Sequence, residues 1–375
     1  MKGKRKTKKR LIGLLLIIFI MLLLSSPWTI RFLERTILAG DQQLFLLREV
    51  AIPYSGNWKF SRAPMGVYVV RNAEIRYFHQ SGQNDWTLGT ESLAHVSAQK
   101  RDRITILENS PRYLLSINEE GYMLYQQAFN RSVEWMVSDP EHYLLMGHQE
   151  EDQLMPFTVL DHQGRVMGNM LLPKAHVVAG SIHSSRNRVV LGMLETSSQG
   201  YKSVLLMHDL KGVLESSWSF PQQLIFDIQY ENQHLSILFD DKLQIMTEER
   251  EILEEQSIDP FYLKKYNGNG WVLIHRRDQL EPDQELEEEI WGTISFLSVD
   301  GKERREAEIG MEVLGMDANQ QYILLYNARQ LKLYNHRLEL IAEHHISRDI
   351  EKGFVLDHDT VALQTRGEIL FYEMR

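Results

Sequence analysis

The sequence contains no cysteine. Disulfides, thiolate metal ligands and a cysteine nucleophile are therefore excluded, as is the lipid-modified cysteine that anchors bacterial lipoproteins. The absence suits an exported protein of a bacterium that does not rely on disulfides.

Positive charge is scarce outside the first ten residues. Those ten hold seven of the 41 basic residues and no acid, so the rest of the chain carries 34 bases against 51 acids, a net charge of −17. A surface of this sign repels phosphate backbones. We predict that nucleic acid is not a partner.

Short chemical motifs are also missing. The sequence has no His-Glu-x-x-His, no Gly-x-Ser-x-Gly, no phosphate-cradling glycine loop and no dinucleotide fingerprint. We therefore assign no catalytic, cofactor-binding or metal-binding residue, and we predict no cofactor.

One long uncharged segment lies near the start of the chain. From Leu11 to Leu24 every residue is apolar or glycine, and no charge follows before Arg31. Twenty helical residues cover about 30 Å, the thickness of a hydrocarbon core. The alternative is a cleaved signal peptide, but a cut after Ser26 would place Leu24 at the third position and Pro27 directly after the bond. We predict an uncleaved transmembrane anchor.

The flanking bases predict the orientation of this anchor. Residues 1–10 form a basic cytoplasmic tail, residues 11–30 the transmembrane helix, residues 31–47 a juxtamembrane stalk and residues 48–375 an extracytoplasmic domain. The predicted location is the cell membrane, with a single pass and the carboxy-terminal domain outside.

An internal repeat fills the outer domain. The pattern is an apolar residue, any residue, two apolar residues and then a polar residue that begins a turn. Its eight copies end at His79, Gln126, Asp161, Asp209, Thr247, Ser298, Asn335 and Glu373, with intervals of 47, 35, 48, 38, 51, 37 and 38 residues. A second apolar segment precedes each copy. Alternation predicts strands, and a unit near 40 to 45 residues is typical of one four-stranded blade. We expect an all-β fold, a β-propeller of eight blades; the 35-residue interval leaves seven as the alternative.

The ends of the chain predict how the ring closes. The last copy ends two residues before the carboxy terminus, so its blade lacks an outer strand. The segment from Val50 to Phe60 precedes the first unit and has no other partner. Lending that segment to the last blade would satisfy both sheet edges.

Several turns share a glycine. Asp161 to Gly164 and Asp209 to Gly212 read Asp-x-x-Gly, and Trp86 and Trp218 follow such turns. Glycine supplies positive φ in a hairpin, and a tryptophan after it can dock on the neighbouring blade. This arrangement resembles the tryptophan-docking repeat of quinoprotein-like propellers.

The chain also resembles a family of single-pass, propeller-like bacterial proteins of unknown function that is common in clostridia. The resemblance rests on the basic start with its apolar anchor and on the run from Arg188 to Leu243, including Tyr201-Lys202-Ser203-Val204 and Leu224-Ile225-Phe226-Asp227-Ile228. It implies the fold and the location, and it supplies no catalytic residues.

Histidine and acidic clusters are the first candidates for chemistry. His344 and His345 are neighbours on an expected strand, so their side chains point to opposite faces and cannot share an ion. Asp357-His358-Asp359 is the best metal-like cluster, but we place it in a solvated turn. The acidic run from Glu281 to Glu289 lacks the ligand order of a calcium loop and is interpreted as a solvated insertion, with recognition of a basic partner as the alternative.

Ser181 and His183 share a segment without a nucleophile elbow around the serine. Triads assemble from distant residues, so the sequence leaves this pair open, and we interpret the spacing as coincidence.

Two functions fit these features. The first is a binding or scaffolding module of the cell envelope, tethered so that one loop face meets a protein or a wall component. The alternative is an envelope enzyme of hydrolase, lyase or quinoprotein type with a site at the funnel; ten cytoplasmic residues leave little for a sensor. Polar side chains converging from three or more blades would favour the enzyme, and an apolar funnel would favour the scaffold.

Overall fold

The computed structural model describes residues 43–52, 58–71, 74–89, 93–98, 103–109, 112–149, 154–173, 176–198, 200–258, 263–276, 291–357 and 359–375. Our predictions for the tail, the anchor, the first 12 stalk residues (31–42), the acidic run and His358 fall outside these residues. Among the described residues, no helix is long and apolar enough to span a membrane.

In the described part of the chain, thirty-two strands form eight four-stranded antiparallel sheets. The first strand is β1 (Leu44–Ala51). Blade 1 contains β2 (Lys59–Arg62), β3 (Gly66–Arg71), β4 (Glu74–His79) and β5 (Trp86–Gly89). Blade 2 contains β6 (Leu93–Ala98), β7 (Arg103–Asn109), β8 (Arg112–Asn118) and β9 (Met123–Ala128). Blade 3 contains β10 (Val133–Ser138), β11 (Leu144–His148), β12 (Leu154–Leu160) and β13 (Val166–Pro173). Blade 4 contains β14 (His176–His183), β15 (Arg188–Ser197), β16 (Gly200–His208) and β17 (Leu214–Pro221), with a 3₁₀ turn at Ser184–Arg186.

The second half of the ring continues the pattern. Blade 5 contains β18 (Ile225–Glu231), β19 (His234–Phe239), β20 (Lys242–Thr247) and β21 (Ile252–Ser257). Blade 6 contains β22 (Leu263–Tyr266), β23 (Gly270–Arg276), β24 (Gly292–Ser298) and β25 (Arg304–Ile309). Blade 7 contains β26 (Gly315–Ala318), β27 (Tyr322–Tyr326), β28 (Gln330–Asn335) and β29 (Leu340–His345). Blade 8 contains β30 (Ile350–Val355), β31 (Thr360–Thr365) and β32 (Glu368–Met374), and β1 is its fourth strand. The predicted all-β propeller of eight blades is confirmed.

Burial explains why the middle strands gave the strongest sequence signal. All five residues of β11 and of β27 are buried, whereas outer strand β13 alternates between exposed and buried positions. A middle strand has a neighbouring blade against each face, so both sets of side chains must be apolar. One face of an outer strand is exposed to solvent, so buried and exposed residues alternate along it.

Blade 2 corrects one copy of the repeat. Seven copies fall on third strands, but the copy ending at Gln126 lies on outer strand β9. The true third strand is β8, which ends at Asn118 and carries Ser116 where the pattern requires an apolar residue. Ser116 is fully buried and pairs with Thr105, also fully buried, on β7. Asn118 lies 39 residues after His79 and 43 before Asp161, so the interval that suggested seven blades disappears.

The ring closes as predicted, but with an earlier segment. Strand β1 pairs antiparallel with β32, from Leu44 opposite Met374 to Ala51 opposite Glu368. Its first four residues lie in the segment assigned to the stalk, and Val50 and Ala51 are the only residues of the expected closing segment that it contains. Phe60 lies instead on β2, the inner strand of blade 1.

The turns between third and fourth strands share one hydrogen bond, from the amide of the fourth turn residue to the carbonyl of the first. In blade 3 the amide of Gly164 donates to the carbonyl of Asp161, while the Asp161 carboxylate accepts the amides of Gln163 and Arg165. Gly164 has φ of 78°, which an L side chain rarely adopts. A Cβ there would also lie 2.6 Å from the Tyr125 ring of the preceding blade, so glycine is required twice over.

Each such turn receives an outer-strand side chain from the preceding blade. Trp86 of blade 1 donates from Nε1 to the carbonyl of Glu119 at 2.7 Å and packs on Gly121 in blade 2. The expected tryptophan docking is therefore present at Trp86. Arg48 of β1 has the same role at the closure, where it donates to the carbonyl of His79 and to Asp85.

Candidate functional site

Successive strands in each blade are antiparallel, so the turns after the first and third strands lie at the same end of the ring. A cavity of about 590 Å³ opens at this end. Its walls are the turns after the first strands of seven blades, with blade 2 not contributing among the described residues. Most of the residues that line the cavity carry amide or ionisable side chains. The polar convergence expected of an enzyme is thus present, and described residues do not fill the mouth with apolar side chains.

Hydrogen bonds between blades fix the rim of this cavity. Asp139 of blade 3 accepts the amide of Ser184 in blade 4 at 2.8 Å. Asn319 of blade 7 donates from Nδ2 to the carbonyl of Leu356 in blade 8 at 3.1 Å. Two further links join Asn269 to Gln320 and Asp357 to Pro64. The rim is a set of mutually bonded turns, which suits rigid recognition.

Arg62 lies at the cavity and spans three blades. Its Nη1 donates to Asp317 at 3.2 Å and to the carbonyls of Ala318 at 2.9 Å and Val355 at 3.3 Å. Asp317 is 5% exposed and also pairs with Lys265 at 3.1 Å and accepts the amide of Val355 at 3.0 Å. The contacts of Asp317 and Arg62 therefore join blades 1, 6, 7 and 8. The guanidinium of Arg62 is bonded to the protein and holds blades together.

Other polar groups at the mouth are also bonded to the protein. The hydroxyl of Tyr266 donates to Glu231, and burial followed by the charge of Glu231 raises the pKa of Tyr266. Asn267 is 5% exposed; its Oδ1 accepts two backbone amides, while its Nδ2 has no acceptor among the described atoms. Asp357 is exposed at the rim.

The sequence predicted a solvated turn at Asp357-His358-Asp359, of which the structure describes Asp357 and Asp359. Asp357 and Asp359 follow β30 and precede β31, and Asp359 accepts the hydroxyl of Tyr322 at 2.6 Å. Asp359 has φ of 60°. Among the described residues, no group of three metal-ligating side chains exists.

Ser181 and His183 lie two residues apart on β14 and therefore share one face of the strand, where both contact Tyr230. The Ser181 hydroxyl accepts the amide of Tyr230 at 3.3 Å, and His183 Nδ1 contacts the Ser185 hydroxyl at 3.1 Å, so the described hydrogen bonds do not join the serine to the histidine. His344 packs against the ring of Tyr372. His345 is on the opposite face and 72% exposed, as alternation requires.

Two buried histidines predict acid sensitivity. His148 and His208 are 5% and 3% exposed, and burial lowers the pKa of each below 6.5. As pH falls below 6.5, the unfolded chain therefore binds protons that the folded chain does not. Stability that is complete above pH 6.5 is lost on acidification toward the lowered folded pKa, at up to about 1.4 kcal/mol per pH unit for each group.

We expect His148→Gln/His208→Gln to flatten the fall in the free energy of unfolding between pH 7.5 and 5.5. Urea titrations followed by tryptophan fluorescence measure it. His345→Gln, at an exposed position, is the control and should keep the wild-type slope; an unchanged slope in the double variant would contradict the assignment.

Sequence reasoning missed Arg62, Asp317 and Lys265. They lie on short inner strands with little alternation, and Arg62 is 255 residues from Asp317. No local pattern connects them; only the ring brings them together.

Fold and cavity together define an eight-bladed β-propeller with a polar central mouth. The model of the family of unknown function DUF5711 matches residues 55–371, and the chain belongs to this family. No functionally curated protein matches the sequence.

Solved propellers share the fold at low identity. BamB from Moraxella catarrhalis is 11% identical with a TM-score of 0.52, covering 88% of this chain and 99% of its own. The C-terminal WD40 domain of Sif2 is 9% identical with a TM-score of 0.56, covering 90% and 99%. The WD40 domain of SCAP from fission yeast is 9% identical with a TM-score of 0.51, covering 87% and 97%. These likenesses show the fold alone.

Proposed function

We propose that this protein is a membrane-anchored binding module of the cell envelope that recognises its ligand or protein partner at the polar mouth of the ring. The observation that carries the proposal is the cavity of about 590 Å³, whose volume lies in the range of ligand sites and whose rim is fixed by bonds between blades. The rigid scaffold presents amides and charges without requiring rearrangement on binding.

The chemistry at the mouth favours binding over catalysis. Asp139 holds three backbone amides, Arg62 bridges blades and Glu231 accepts a tyrosine hydroxyl. Groups committed to the protein in this way are poor proton shuttles, because a general acid or base must exchange its proton with the substrate.

The envelope location rests on the sequence, namely the seven bases and the uncharged segment that follows them. The absence of cysteine makes a clean test possible. Ser198→Cys places a single thiol on the exposed loop between β15 and β16, and Thr7→Cys places one in the basic tail. We expect a membrane-impermeant maleimide to label residue 198 in intact cells and residue 7 only after lysis. Labelling of residue 198 only after lysis would place the domain inside.

Binding at the mouth is tested by photo-crosslinking in the native membrane. A benzophenone amino acid replaces Gln321, which is exposed at the cavity, or Ser198 at the opposite end as the matched control. We expect a discrete adduct from position 321 and none from position 198. Equal adducts from both positions, or none from 321, would refute the mouth as the binding site.

An envelope enzyme is the second candidate, and one observation favours it. Asp357 and His183 line the same cavity as Arg62, so an acid, an imidazole and a guanidinium converge from three blades. If the captured ligand were chemically altered by the wild-type protein and unaltered by Asp357→Asn, the enzyme would replace the binding module.

A further inference from the structure

A second pocket lies at the opposite end of the ring, between blades 8 and 1. Lys59 begins inner strand β2 and pairs with Val70, and Lys352 lies near the start of inner strand β30 and pairs with Gln364. These strand ends are opposite the turns that form the central mouth. The pocket has a volume of about 390 Å³, large enough for a small ligand.

The pocket is positively charged in a strongly acidic protein. Two lysines, Lys59 and Lys352, line it, and no carboxylate-bearing residue does so among the described residues. Glu351, which precedes Lys352 in sequence, accepts the Gln364 amide at 2.7 Å. Lys352 donates to the carbonyl of Phe60 at 3.1 Å, which uses one of its three N–H groups.

Burial, followed by the charge of Lys265, lowers the pKa of Lys352. The charge of Asp317 opposes this shift without cancelling it, so the protein only partly compensates the ammonium charge of Lys352. A bound anion would restore the balance, since opposite charges in a partly desolvated site attract more strongly than in water.

An aromatic wall adjoins these charges. The ring of Trp58 lines the pocket, and the guanidinium groups of Arg71 and Arg76 lie over the ring at 5.3 and 5.6 Å. Arg76 is paired with Glu74 at 2.9 Å, whereas Arg71 adds a further positive charge beside the pocket. Stacking on these cations holds the indole in place at the pocket wall.

We propose that this pocket binds a small phosphate- or carboxylate-bearing ligand, with the anion at Lys59 and Lys352 and the uncharged remainder against Trp58. The site is separate from the central mouth and does not depend on the function proposed there.

Calorimetric titration of the full chain in detergent, at fixed ionic strength, tests the proposal. The probes are inorganic phosphate, glucose 6-phosphate and glucuronate. The two phosphates separate an anion-only site from one that also recognises a ring, and glucuronate reports a carboxylate. We expect at least one probe to bind at millimolar concentration and Lys59→Ala/Lys352→Ala to weaken it at least about tenfold.

Two controls make the result specific. Lys302→Ala removes a side chain that is 80% exposed on blade 6 and should leave affinity unchanged. Trp58→Phe should retain phosphate binding within about threefold and abolish the ligand-induced change in tryptophan fluorescence. Absence of binding by all three probes, or an equal loss in Lys302→Ala, would overturn the proposal.

Discussion

Replacing Asp317 by alanine is expected to lower the free energy of unfolding by about 3 kcal/mol. The side chain is almost fully buried and accepts from Arg62, Lys265 and the amide of Val355. Its removal takes this acceptor from Lys265 and from a buried amide, and it leaves Arg62 bonded to the carbonyls of Ala318 and Val355 without the carboxylate. Because Arg62 is 25% and Lys265 43% exposed, water recovers part of the loss, which keeps the effect below that of a fully buried pair.

Urea unfolding at neutral pH measures this effect, with Asp349→Ala as the matched control. Asp349 pairs with Arg329 at 2.9 Å, and both side chains are 67% exposed, so the control should change stability by less than about 1 kcal/mol. A double-mutant cycle with Arg62→Ala isolates the bond between blades. A coupling energy near zero would show that Arg62 and Asp317 do not support each other.

The ring was predictable from sequence because its middle strands are buried on both faces. Phe157, Val159 and Leu160 on β12 show why, since each is fully buried and the polar Asp161 follows at once. The copy of the repeat in blade 2 was misplaced because the buried Ser116 stands where the pattern requires an apolar residue, opposite the equally buried Thr105 on β7. A pattern of apolar residues along one strand does not detect two small polar residues that are buried opposite each other on adjacent strands.

The candidate sites were not predictable in the same way. The central mouth consists of turns whose residues are ordinary Asx and amide side chains, and their significance depends on which blades are adjacent. The pocket at Trp58 joins residues from both ends of the described chain, so Lys59 and Lys352 become neighbours only when the ring closes. Short sequence motifs can be searched for and excluded. Side chains that become neighbours only when the ring closes leave no such motif in the sequence.

The closing strand supplies the last test, because the sequence and the structure assign its first residues differently. Leu44 is 5% exposed and packs with Leu370, Tyr372 and Met374, whereas Leu46 on the same strand is 53% exposed. We expect Leu44→Asp to lower the free energy of unfolding by about 3 kcal/mol, since a carboxylate in this cluster must either be buried without a partner or pull the start of β1 away from β32. Leu46→Asp adds the same charge to the wet face and should cost less than about 0.5 kcal/mol. If residue 44 belonged to a stalk outside the ring, the two variants would unfold at the same urea concentration; a difference between them would show that closure begins at Leu44.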